Sequence, residues 1–128
     1  MSQALDINTF DFNQTDGVQT LNLGQFEVIP STAGLVKVNI LAVRQSDRAA
    51  KAWTFEVLFK RAGSGAVVVE EVIPTPVNLF ANLADTTALV NVNIAAFSDG
   101  MFLGAACTGQ INDIILWSVT ISGRVVNV

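Results

Sequence analysis

Residues 35–60, LVKVNILAVRQSDRAAKAWTFEVLFK, decide the fold class. Val36, Val38, Ile40 and Ala42 fall on one face of an extended chain, with Lys37 and Asn39 on the other. Trp53, Phe55, Val57 and Phe59 repeat the pattern against Thr54, Glu56, Leu58 and Lys60. Strand side chains alternate between faces with a period of two, so each run reads as a half-buried strand. The polar stretch Gln45–Lys51 between them reads as a hairpin loop.

The same period extends outward. Val90, Val92 and Ile94 alternate with Asn91 and Asn93, and Ile115, Trp117, Val119 and Ile121 alternate with Leu116, Ser118, Thr120 and Ser122. Turn chemistry falls between the runs. Pro30–Gly34 ends a strand around Val18–Ile29, and Arg61–Gly65 leads tightly into Ala66–Ile73. Pro74-Thr75-Pro76 stops that strand, and Ser98-Asp99-Gly100 separates two further strands. No stretch keeps a helical period. The expectation is an all-β domain of about eight strands over 1–128, a β-sandwich or jelly-roll-like barrel. Residues 18–128 form the sandwich. Residues 1–17, rich in Asp, Asn and Gln, form an extended N-terminal arm held by its own sheet or by another chain.

Composition narrows the function. The 128 residues are 51% hydrophobic and 14% charged, with mean hydropathy +0.49. Soluble domains are typically about 25% charged, so this is a folded chain with surplus apolar surface. No apolar run reaches the roughly 18 residues of a membrane helix, and the N-terminus lacks the basic and apolar regions of a secretory signal. Histidine and tyrosine are absent and Cys107 is the one cysteine. Disulfides, histidine acid–base catalysis and Cys/His zinc sites are therefore excluded, and neither an enzyme nor a cofactor is expected. Cys107 lies among small apolar residues and reads as a buried, inert thiol.

Candidate sites are few. Asp6, Asn8, Asp11, Asn13 and Asp16 concentrate oxygen ligands, but the glycine is misplaced for a calcium loop and the closing glutamate is missing. Adjacent Glu70 and Glu71 point to opposite faces of a strand and cannot act as a pair. Trp53 near Arg48 and Lys51 suggests a stacking platform, yet it shares the core face with Phe55, so nucleic acid is not expected. Residues 37–61 hold six basic and two acidic residues (6 − 2 = +4), while the remainder holds one basic and nine acidic (1 − 9 = −8). Arg44, Arg48 and Lys51 then either meet an acidic neighbouring subunit or simply occupy the wet end of a hairpin. Phe10 and Phe12, two apart on an extended stretch, project to one side and cover either this chain's sheet or a neighbour's groove.

One resemblance adds to this. Ala52–Arg61, Gly63-Ser64-Gly65, Asp99-Gly100, Thr108-Gly109-Gln110 and the closing Ile114–Ile121 strand form a strand-and-turn series over about residues 52–126. It resembles β-domains of tailed-bacteriophage virion proteins, most closely capsid decoration (cement) proteins, with tail-fibre and tail-tip modules next. Ala106-Cys107-Thr108-Gly109 departs from the usual Val-Thr-Gly, and Asn112–Leu116 is more apolar than the pattern. The resemblance implies a structural protein on the capsid exterior, made in the host cytoplasm. Its partners would be itself, as a homotrimer, and the major capsid protein, with no membrane. Phe10, Phe12 and Phe102 are its expected anchors. The alternative it leaves is a tail-fibre, tail-tip or adhesin module that binds a host receptor.

Overall fold

The computed structural model describes residues 2–73, 88–97 and 100–128. They form eight strands: β1 (Gln3–Asp16), β2 (Thr20–Glu27), β3 (Thr32–Arg44), β4 (Ala50–Arg61), β5 (Val67–Ile73), β6 (Leu89–Phe97), β7 (Gly100–Thr108) and β8 (Ile114–Asn127). Two open antiparallel sheets result, one ordered β1-β8-β3-β4-β5 and the other β2-β7-β6. This is a sandwich, and neither sheet closes into a barrel. The expected turn at Asp99 and the stop at Pro74 and Pro76 lie outside the described residues.

The alternation seen in the sequence becomes the core. Val36, Val38, Ile40, Phe55, Val57, Phe59, Trp117, Val119 and Ile121 are all buried on the inner face of the larger sheet. Leu103, Ala105 and Cys107 meet them from β7. Trp53 stacks on Trp117 with ring centroids 5.7 Å apart, which fixes Trp53 as a core residue. Gly123 on β8 has no room for a side chain, because a Cβ there would strike the Leu35 carbonyl and Val36 Cα of β3.

The N-terminal stretch is held by its own sheet. β1 pairs with β8 in an unbroken register from Gln3↔Asn127 to Asp16↔Ile114. Its inward positions are largely polar, and Thr9, Asp11 and Thr15 are satisfied from β2 and β8. Thr9 Oγ1 donates to the Gly24 carbonyl at 2.7 Å, and Asp11 Oδ2 accepts the Gly24 N–H at 3.2 Å. Gly24 lies at the β-bulge of β2 with φ of 69°, a conformation glycine adopts without strain. The buried Thr15 hydroxyl accepts the indole N–H of Trp117.

Candidate interaction surface

The outward face of the five-stranded sheet follows from register. Odd-numbered β1 residues point inward, so Phe10 and Phe12 project outward, beside Thr120 and Ser118 of β8. Those two residues neighbour Asn39 and Leu41 of β3, which in turn neighbour Thr54 and Ala52 of β4. The result is a floor of small and polar side chains bordered by two phenylalanines. Phe10 is 69% exposed and Phe12 58%. A shallow depression of about 330 Å³ lies over Lys37, Asn39, Leu41, Thr54, Ser118 and Thr120. Thr54 Oγ1 donates to Asn39 Oδ1 at 2.8 Å, which fixes the amide within that floor.

Further apolar side chains share this face. Leu35, Leu58, Val68, Ile73 and Val126 are each exposed on it. Two ion pairs lie on it: Lys60 with Glu70 at 2.7 Å and Arg124 with Asp6 at 3.2 Å. Large apolar patches exposed on a surface mark sites where proteins, membranes or ligands make contact.

The basic residues of the 37–61 segment divide among three places: Arg44, Arg48 and Lys51 at the β3–β4 hairpin, Lys37 and Lys60 on the outward face, and Arg61 in the interior. Arg44 is bound to Asp47 at 2.8 Å and Asp113 at 3.4 Å, tying the β3–β4 hairpin to the loop before β8. Its guanidinium hydrogen bond, with the Ala49 N–H, holds the Asp47 carboxyl down at about 2. Arg48 occupies the hairpin turn with φ of 60°. Lys51 Nζ donates to the Ala88 carbonyl at 3.4 Å and lies 5.5 Å from the centre of the Trp53 ring. Arg61 is buried, and its guanidinium donates to the carbonyls of Val28, Gly65 and Ser64. Sequence reasoning had no signal for this cage, since Val28 lies on another strand connection.

Phe102 is half-buried on β7, opposite Glu27 and Ala95, in the other sheet. The six expected contact residues thus fall in three places: Phe10 and Phe12 on β1, Arg44, Arg48 and Lys51 at the β3–β4 hairpin, and Phe102 on β7. The acidic N-terminal residues do not converge. Asp6, Asn8 and Asp16 point outward from β1, whereas Asp11 and Asn13 point inward. Among the described residues no cluster of acidic residues or cysteine is arranged to hold a metal. Cys107 is buried, and desolvation, aided by the negative charge of Asp11, pushes its thiol up to about 12.

No family model matches the chain, and no curated protein matches it. Among solved structures it is similar to the tailspike protein of Acinetobacter baumannii phage AM24, with a TM-score of 0.42 and 11% identity over 91% of this chain and 26% of that one. It is also similar to the tailspike protein of Acinetobacter phage vB_ApiP_P1, with a TM-score of 0.36 and 11% identity over 97% of this chain and 22% of that one. The chain therefore spans about a quarter of the length of these proteins.

Proposed function

We propose that the chain is a non-enzymatic structural module of a phage particle, working through surface contact on the tail side, in a fibre, spike or tip. The observation that carries the contact role is the outer face of the five-stranded sheet, where Phe10, Phe12, Leu35, Leu41 and Leu58 are exposed together. The particle assignment is supported by the strand-and-turn resemblance over residues 52–126. The tail placement is supported by the distribution of apolar surface. A cement protein on a three-fold site needs apolar surface both for its own copies and for the capsid lattice. Among the described residues, the exposed large apolar side chains gather mainly on one face. Phe10 and Phe12 lie on a strand rather than on loop tips, which suits a structural contact better than capture of a host receptor.

Quantitative mass spectrometry of purified particles tests this. A handful of copies per particle is the expected result. A level comparable to the major capsid protein would overturn the tail placement in favour of capsid decoration. Absence from particles would overturn the virion reading altogether.

A further inference from the structure

The free edge of β1 carries an inference about a second contact, separate from the outer face. Along an antiparallel edge strand, alternate residues turn both backbone groups toward the neighbour and the others turn both away. The N–H of Gly17, which follows β1, donates to the Asp113 carbonyl ahead of β8, so odd-numbered residues face β8. The N–H groups of Gln14 and Asp16 turn away from β8 and are taken by Asn13 Oδ1 at 2.8 Å and Gln19 Oε1 at 3.2 Å. Even-numbered residues therefore face the free edge. Two of them are capped by side chains. Among the described residues, the backbone groups of Ala4, Asp6, Asn8, Phe10 and Phe12 have no partner on that side.

Long, regular edges invite pairing, and proteins blunt them with bulges, proline or lysine. β2, β5 and β6 also border their sheets; β2 and β5 each carry a register shift, and β6 is only nine residues long. β1 has none over its fourteen residues, and its sequence contains neither proline nor lysine.

We propose that β1 pairs with β1 of a second copy, antiparallel and about a two-fold axis at Asn8, joining two five-stranded sheets into one. The open stretch is centred on Asn8, so this register pairs every open residue: Ala4 with Phe12, Asp6 with Phe10, and Asn8 with its own counterpart. Two hydrogen bonds per facing pair give roughly ten across the junction. The two Asp6 carboxylates then lie about 13 Å apart along the strands, beyond the screening length at physiological salt. A register centred on Phe10 would instead set Asp6 against Gln14, whose N–H is already taken. The pairing brings both phenylalanine pairs onto one continuous outer face. The inference goes beyond the contact reading above: its partner is a second copy of this chain, and the outer face stays open in the pair.

Sedimentation across a concentration series, with cysteine cross-linking, tests it. Asn8→Pro places its ring where the N–H faces the free edge and leaves the β8 ladder intact. Asn8→Cys reports the axis, with Asn39→Cys on the open face as control. The native thiol is silent because Cys107 is buried. The expected result is a concentration-dependent dimer, weakened at least 100-fold by Asn8→Pro, and a disulfide dimer from Asn8→Cys but not Asn39→Cys. If Asn8→Pro does not fold, the cross-link alone decides. A monomer at every concentration overturns the pairing, and so does a disulfide dimer from Asn39→Cys with none from Asn8→Cys. A monomer found in particles overturns the pairing alone, and a dimer absent from particles overturns only the virion reading.

Discussion

The indole N–H of Trp117 donates to Thr15 Oγ1 at 3.0 Å, and both groups are fully buried. This bond joins β1 to β8 beneath the Gly109 turn, where a Cβ on Gly109 would strike the same hydroxyl. It also orients Trp117 for its stack on Trp53. One threonine thus ties the N-terminal strand to the aromatic centre of the core.

Replacing Thr15 with valine keeps the shape and removes the acceptor. The indole N–H would be left buried and unpaired, at a cost of about 1–3 kcal/mol. Urea unfolding followed by tryptophan fluorescence would read the loss, since Trp53 and Trp117 are the only tryptophans. An unchanged midpoint would show that the bond contributes nothing.

Arg61 supports a second prediction. Its guanidinium is buried and donates to the Val28 carbonyl at 2.7 Å, the Gly65 carbonyl at 2.7 Å and the Ser64 carbonyl at 3.2 Å. Among these contacts no carboxylate offsets the charge, so the group acts as a rigid fork for carbonyl oxygens. Arg61→Met fills the volume but strands those carbonyls. The expected destabilisation is about 2–4 kcal/mol, because hydrogen bonds from a charged donor are the stronger kind. Arg61→Lys should recover only part of it, lacking the planar fork. Thermal unfolding of both variants checks the order.

The strands with one buried face were legible from alternation alone, because a half-buried sheet forces apolar residues to every second position. β1 was legible only as extended chain. Its inward Thr9, Asp11, Asn13 and Thr15 are polar and its outward Phe10 and Phe12 are apolar, the reverse of a strand over a core. What stabilises that inversion is remote in sequence: the Gly24 bulge and the Trp117 indole. The basic segment shows the same limit. Its charges could be counted, but Asp113, which binds Arg44, lies 69 residues away.

Asp47 makes stability depend on acid. Its folded carboxyl is held at about 2, against an ordinary 3.8, first by the hydrogen bond from Arg44 and next by the Ala49 N–H. A lowered folded value means this contribution is complete above about pH 4 and is lost as pH falls toward 2. The hairpin end should loosen first, since Asp47 caps it on the surface. Asp47→Asn should lower stability modestly at neutral pH, where the carboxylate contributes, and flatten the profile between pH 4 and 2, so that the two proteins converge in acid. Chemical unfolding at stepped pH gives the comparison, and identical slopes for the two proteins would remove Asp47 as the cause.

Phe10 and Phe12 separate folding from contact. Both are exposed, so the double substitution Phe10→Ser and Phe12→Ser removes little packing from the folded chain. Surface changes of this kind usually shift stability by no more than about 0.5 kcal/mol. β1 should stay in place, because Thr9, Thr15 and Asp11 hold it from the inner side. Edge pairing through the backbone should survive in weakened form, since the substitution leaves every open N–H and carbonyl of β1 intact. Contact through the outer face should fail, because the aromatic border beside Ser118 and Thr120 is gone. Thermal unfolding, sedimentation and incorporation into particles would be measured on the same variant. Normal folding with lost incorporation assigns the phenylalanines to the contact. Lost folding would instead make them part of what holds β1 to its sheet.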